Sequence, residues 1–203
     1  MTVPERSVSA RDWVRGARLR TLPLAVGPVL LGTTSAWLRG ESSLVLSGLA
    51  LLVAVALQVG VNYANDYSDG VRGTDCNRVG PQRLTVSGRV SPERVKNAAF
   101  LCFAVAMVAG ATLALLVSAW WMLLVGAFAL WAAWTYTGGR QPYGYRGLGE
   151  LVVFVFFGPV ATQGTAYVHL GFFPIEAWVT GAASGFFASA VLLENNLRDI
   201  ETD

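Results

Sequence analysis

The sequence predicts an all-α integral membrane protein with six transmembrane helices, and three observations carry that prediction. Of its 203 residues 54% are hydrophobic and only 14% charged, against about a quarter charged in soluble domains. Six apolar runs approach the roughly 20 helical residues that span a hydrocarbon core of about 30 Å. With the six runs threaded in alternation, fourteen of the fifteen Lys and Arg residues fall on one face, which marks that face as cytoplasmic.

The runs follow in order. The first, residues 21–38, comes after a polar segment with Arg6, Arg11, Arg15, Arg18 and Arg20. The second covers 44–62, and Arg39, just before it, is the one basic residue on the outer face. Arg72, Arg78, Arg83, Arg89, Arg94 and Lys96 separate it from the third run, 98–117. The fourth covers 120–136, and Arg140 and Arg146 lie between it and the fifth, 151–170. The sixth covers 172–193, carries Glu176 near its start and is followed by Arg198. Dropping or adding a span would scatter these charges over both faces. The expected location is the cytoplasmic membrane, multi-pass, with the N-terminus inside. The bilayer is the expected surrounding partner, and no nucleic-acid partner is expected. Cys76 falls in a cytoplasmic loop and Cys102 inside the third span, so a disulfide is not expected. His169, at the outer end of the fifth span, reads as interfacial.

Two polar clusters follow long apolar runs: Asn65-Asp66-Tyr67-Ser68-Asp69 and Asn195-Asn196-Leu197-Arg198-Asp199-Ile200-Glu201-Thr202-Asp203. On a helix Asn195, Asp199 and Asp203 share one face, and Asn65 and Asp69 repeat that step. Carboxylates and carboxamides stacked this way call for a divalent cation. Carboxylates at a membrane edge are functional candidates in their own right. The loop after the second span places arginines beside the acids, with Asp75, Arg78 and Arg83 in reach. Carboxylates for Mg2+ next to guanidinium groups that grip phosphate bidentately suit a metal-bridged diphosphate. Gly70, Gly73, Gly80 and Gly88 would let the backbone approach the ligand. The loop between the fourth and fifth spans adds Tyr136, Arg140, Tyr143, Tyr145 and Arg146. The tyrosines would frame an aromatic substrate while an arginine meets a negative group, although Tyr and Arg are also ordinary membrane-interface anchors.

An internal repeat is also legible. Gly27-Pro28-Val29 and Gly158-Pro159-Val160 are 131 residues apart, and Asn65 and Asn195 are 130 apart. A four-span period is even, which makes the halves parallel repeats. The second half then lacks partners for spans three and four, so residues 1–203 are expected to form a single membrane-embedded domain cut short at its C-terminal side.

The paired motifs Asn65-Asp66-Tyr67-Ser68-Asp69 and Asp199-Ile200-Glu201-Thr202-Asp203, with the flanks Gly70-Val71-Arg72-Gly73-Thr74-Asp75 and Asn195-Asn196-Leu197-Arg198, resemble the aspartate-rich motifs of the UbiA superfamily of intramembrane aromatic prenyltransferases. Their wording is most similar to its 1,4-dihydroxy-2-naphthoate polyprenyltransferase branch, in menaquinone synthesis. That resemblance implies a bundle of about nine helices built on a parallel repeat. It implies Mg-dependent transfer of a polyprenyl group from its diphosphate to 1,4-dihydroxy-2-naphthoate, with loss of CO2, giving demethylmenaquinone. Asn65, Asp66, Asp69, Asp75, Asp199 and Asp203 would hold Mg2+, with Asp69 and Asp199 central to catalysis. Arg78, Arg83, Arg140, Arg146 and Asn195 would bind the diphosphate; Tyr136, Tyr143 and Tyr145 would border the aromatic acceptor. Two departures stand out: the position where the superfamily usually places the last acid of its first motif is Gly73, with Asp75 the next acid, and the chain is shorter than most members. Another aromatic acceptor, such as 4-hydroxybenzoate, is the alternative within enzymes, and a metal-dependent membrane transporter is the alternative outside them.

Overall fold

The computed structural model describes residues 8–73, 83–88, 90–139 and 141–199, with Arg198 and Asp199 given by their backbone alone. Regular structure among the described residues is entirely helical. A short α1 (Ala10–Gly16) precedes α2 (Leu22–Trp37), α3 (Leu44–Arg72), α4 (Pro92–Leu116) and α5 (Met122–Thr135). Then come α6 (Gly149–Val155), a π-turn (Phe156–Val160), α7 (Ala161–Leu170) and α8 (Ile175–Asp199). With α6, the π-turn and α7 counted as one rod, the six apolar runs become six rods, as the sequence predicts. Four are long and apolar enough to cross a membrane: α3, α4, the Gly149–Leu170 rod and the Ile175–Leu197 stretch of α8. Helices α2 and α5, of 16 and 14 residues, reach only about 24 and 21 Å at 1.5 Å per residue.

Two boundaries differ from the sequence reading, both at the polar end. The second helix was expected to stop at Asn62 but continues to Arg72, so Asn65–Asp69 stand inside a helix and not in a loop. The helix ends where Gly73 adopts φ 78°, its N–H bonding to the Asp69 carbonyl at 3.0 Å, the left-handed stop that glycine takes without a Cβ penalty. Likewise α4 begins at Pro92, well before residue 98, because proline is suited to the first helical turn. The N-terminal segment also folds. In α1, Asp12 accepts from the Ser9 N–H at 3.0 Å and the Ser9 hydroxyl at 2.9 Å. Trp13 meets Tyr63 edge-on at 5.6 Å, and the Tyr63 hydroxyl donates to the Trp13 carbonyl at 2.9 Å. These contacts fasten α1 across α3.

Small residues let the rods close together. The most extensive pairing joins α3 to α4, where Gly60 lies under the Phe103 ring. Gly32 of α2 abuts Thr162 and Thr165 of α7, and Gly158 lies on the backbone of Gly181 and Gly185 in α8. Such contacts suit helices in lipid, where association depends on close packing more than on expelling water. The two Gly-Pro-Val copies behave differently. Pro28 rides inside a continuous α-helix, whereas Pro159 sits in the π-turn with Gly158 at φ −116°, ψ −106°. Proline removes one N–H and crowds the carbonyl a turn earlier; the wider turn and Gly158 take up the distortion.

Opposite the polar end, His169 links neighbouring helices. Its Nδ1 accepts from the Ser43 N–H at 3.3 Å, and its Nε2 lies 3.2 Å from the Ser47 hydroxyl. Arg39 pairs with Glu176 nearby. This agrees with His169 as an end-of-helix residue.

Candidate functional site

The C-terminal part of α3 carries four polar side chains that a lone apolar helix would not tolerate, and each is supported by tertiary partners. Asp66 is 2% exposed. Its two oxygens accept the backbone N–H groups of Leu84 and Thr85 at 2.8 and 2.9 Å. Expected as a metal ligand, it instead anchors the turn 84–88 in this structure. Asp69 receives the Arg83 guanidinium on one oxygen and the Tyr145 hydroxyl on the other. Asn65 accepts from the Thr137 hydroxyl at 2.7 Å, while its carbonyl accepts from Arg83 at 3.0 Å. Arg72 donates to the carbonyls of Thr137 and Gly139 and lies 5.8 Å from the Tyr145 ring centroid. The α5–α6 connection is thereby stitched onto α3 through Asn65, Asp69 and Arg72.

The glycines expected to admit a ligand serve packing and turns. A Cβ on Gly70 would stand 2.5 Å from Thr85, so Gly70 lets the turn lie on α3. Gly73 terminates α3 and Gly88, at φ 66°, closes the turn; Gly80 lies outside the described residues.

Beside this cluster a cavity of about 780 Å³ opens between α2, α3, α5, the α6–α7 rod and α8. One end is polar, with Arg18, Asn62, Asn65, Tyr136, Tyr143 and Asn195; the walls are mostly Ala, Val, Leu and Phe, reaching Trp121, Phe173 and Trp178. Arg18 is the one charged side chain among the described residues that line it. A second hollow between α4 and α5, about 420 Å³, is walled by residues such as Phe100, Met107 and Trp131 and has no charged lining residue.

The sequence-predicted residues divide accordingly. Tyr136 and Tyr143 line the cavity, their rings edge-on at 5.5 Å. The Tyr143 hydroxyl donates to the Ala132 carbonyl at 2.9 Å. Burial, with Tyr136 adding to it, pushes the Tyr143 phenol far above its ordinary range, so it stays a neutral donor. Tyr145, expected with them, is instead 54% exposed and bound to Asp69. Arg83 reaches the first cluster, but Arg146 is exposed and bonds to Gln141. Its solvated position removes it from the cluster in this structure. Asn195 lines the cavity and donates to the Val191 carbonyl at 3.0 Å. Asp75, Arg78, Arg140 and Asp203 lie outside the described residues, and Asp199 is present as the last residue of α8. Arg18 was read only as part of the basic N-terminal segment. Its one sequence signal is position, close before the first apolar run.

Among the described residues no three His, Cys, Asp or Glu side chains form a metal-sized group. Asn65 and Asp69, one helical turn apart, carry hard oxygen donors of the kind Mg2+ takes; in this structure those oxygens accept from Thr137, Arg83 and Tyr145.

A family model described as the UbiA prenyltransferase family matches residues 25–203. The chain is 53% identical over 199 residues to a Mycobacterium tuberculosis protein named 1,4-dihydroxy-2-naphthoate octaprenyltransferase, covering 96% of this chain and 66% of that one. It is 52% identical to the Mycobacterium leprae protein of the same name, with the same coverage. Its identity to the Escherichia coli protein of that name is 38%, over 98% of this chain and 67% of the other. The chain thus spans just under two thirds of the length of the two mycobacterial relatives.

Proposed function

Since the chain belongs to the UbiA prenyltransferase family, we propose that it carries out Mg2+-dependent transfer of a polyprenyl group from its diphosphate to 1,4-dihydroxy-2-naphthoate, with loss of CO2. The observation that carries this reading is a largely apolar cavity that Asn65 itself lines, beside the Asn65–Asp69 cluster. The product of this step would be the hydroquinone demethylmenaquinol, the reduced form of demethylmenaquinone.

In this reading the isoprenoid tail lies along the Val, Leu and Phe walls and reaches them sideways from the bilayer. Asn65 and Asp69, with Asp75, Asp199 and Asp203, would hold Mg2+, which neutralises diphosphate charge and improves it as a leaving group. Asp66 supports that set by fixing the turn that carries Arg83. Arg83, already at Asp69, moves its guanidinium to the diphosphate, joined by Arg78 and Arg140. The allylic C–O bond breaks toward the diphosphate. The ring carbon bearing the carboxylate forms the new C–C bond, and that carboxylate leaves as CO2. Apolar walls keep water from the allylic carbon, so the ring captures it before hydrolysis does. Tyr136 and Tyr143 border the ring, and Asn195 serves the diphosphate. The cluster faces the cytoplasm of a cell membrane, in keeping with the one-sided distribution of Arg and Lys.

The test uses native membranes given labelled polyprenyl diphosphate, 1,4-dihydroxy-2-naphthoate and Mg2+. Membranes containing the protein should yield a labelled lipophilic quinone precursor that membranes from a deletion strain do not. Equal product from both membranes would end this reading, and product with 4-hydroxybenzoate alone would replace the acceptor.

A further inference from the structure

Arg18 occupies a backbone conformation that a residue with a Cβ seldom takes. Its φ of 51° and ψ of 59° lie in the left-handed region, and such residues persist where their surroundings over-determine them, often at functional sites. Here the surroundings are explicit. The Arg18 carbonyl accepts from the Thr21 N–H at 2.8 Å and the Thr21 hydroxyl at 2.9 Å. Thr21 Oγ1 in turn accepts from Gln58 at 2.8 Å and from Asn62 at 3.0 Å, and Asn62 also donates to the Ala17 carbonyl at 2.9 Å. Two buried carboxamides of α3 thus hold the corner between α1 and α2, and the corner delivers Arg18 to the polar end of the cavity.

Three further observations say what kind of molecule that end suits. Arg18 supplies the only charge among the described lining residues, which selects an anion with an apolar body. Gln58, 6% exposed, also lines the cavity, and its Oε1 has no hydrogen-bond partner. A buried acceptor left bare is costly, and a hydroxyl group would satisfy it. Tyr136 and Tyr143, edge-on to each other, provide flat walls on the same cavity.

The geometry points to an acceptor subsite in which Arg18 recognises the carboxylate of an aromatic hydroxy acid, with Gln58 Oε1 accepting a hydrogen bond from the hydroxyl and Tyr136 and Tyr143 flanking the ring. The assignment rests on the proposed function for its choice of an aromatic acid over other amphipathic anions. A planar guanidinium matches a carboxylate with two parallel hydrogen bonds, so the subsite discriminates by charge and by shape.

The test is a binding measurement on the full chain in lipid nanodiscs, by quenching of tryptophan fluorescence, with 1-hydroxy-2-naphthoate, 1-naphthol and geranyl diphosphate as probes. The wild type should prefer the carboxylate to 1-naphthol. Arg18→Gln should weaken carboxylate binding about tenfold or more, the loss expected for a charge-assisted hydrogen bond, and leave 1-naphthol and the diphosphate within about twofold. Arg18→Lys, which keeps the charge but not the fork, should recover part of the preference, and it judges the proposal if the Gln variant does not fold. Retention of the carboxylate preference in a folded variant would overturn the assignment. So would weakened diphosphate binding with the preference intact, which gives Arg18 to the leaving group, or a wild type that shows no preference. Failure of prenyl transfer in native membranes would instead remove the proposed function, while the naphthoate measurement still decides the role of Arg18.

Discussion

Among the described residues, two Arg–carboxylate pairs lie at opposite ends of the bundle, and they differ in almost everything except chemistry. Arg83 and Asp69 are 10% and 9% exposed; Arg39 and Glu176 are 37% and 34% exposed. The first pair sits among Asn65, Tyr145 and the turn that Asp66 anchors, while the second has beside it the Phe172 ring and the Ser35 carbonyl, to which Arg39 donates at 3.0 Å. Solvent screens the exposed pair and leaves it little to contribute. A buried pair interacts strongly, but its worth depends on both partners staying in place. The lesson is that burial, more than residue type, separates the end proposed to do chemistry from the end that closes the bundle.

Substitutions sharpen that contrast. In the proposed reaction Asp69→Asn should lower turnover at least about 100-fold, because it removes a metal-ligand charge and several kcal/mol of transition-state stabilisation. Normal turnover in that variant with Mg2+ present would erase the distinction between the two ends. Asp66→Ala comes next: two buried backbone N–H groups lose their acceptor, at about 1–3 kcal/mol each, so thermal melting in detergent should fall well below wild type. A wild-type melt would mean that the turn 84–88 does not depend on Asp66. Gly158→Val should destabilise too, since the added atoms meet the Gly181 and Gly185 backbone; an unchanged melt would show that α8 can shift away. Tyr145→Phe frees one Asp69 oxygen and leaves Arg83 in place, so a change of a few-fold in turnover is expected, well short of Asp69→Asn. Arg39→Gln and Glu176→Gln should leave melting and turnover at wild-type values. A clear loss in either would give the far end a role that its exposure does not suggest.

How much of this was legible in the sequence depends on the range of the forces involved. The six rods were readable because apolar run length reflects a local requirement, the thickness of the hydrocarbon core. The ten residues that extend α3 beyond Asn62 were not readable as part of the second span, since their stability comes from α1, the turn 84–88 and Thr137, all distant in sequence. Asn65 and Asp69 were identified from their four-residue step, and Tyr136 and Tyr143 from their loop, and both pairs reach the site region. Tyr145 and Arg146, one and two residues beyond Gly144, turn elsewhere, because a short 3-10 segment at Tyr143–Arg146 fixes directions that spacing does not encode. Arg18 escaped notice for a similar reason: a left-handed residue other than glycine leaves no signature in composition or periodicity.

The π-turn at Phe156–Val160 acts as a phase shifter. Each helical residue advances the side-chain direction by about 100°, so one extra residue in a turn rotates everything downstream by that angle. In α7 the rotated face carries Thr162, Gln163 and Thr165, which are 0%, 3% and 4% exposed. Thr162 and Thr165 meet Gly32 of α2, and Gln163 donates to the Pro174 carbonyl at 3.0 Å. Deleting a single residue from this turn would restore an even helix and swing the three polar side chains toward hydrocarbon. The rod therefore tolerates substitution far better than it tolerates a change of length, and the reading frame of its faces is set by Gly158 and Pro159.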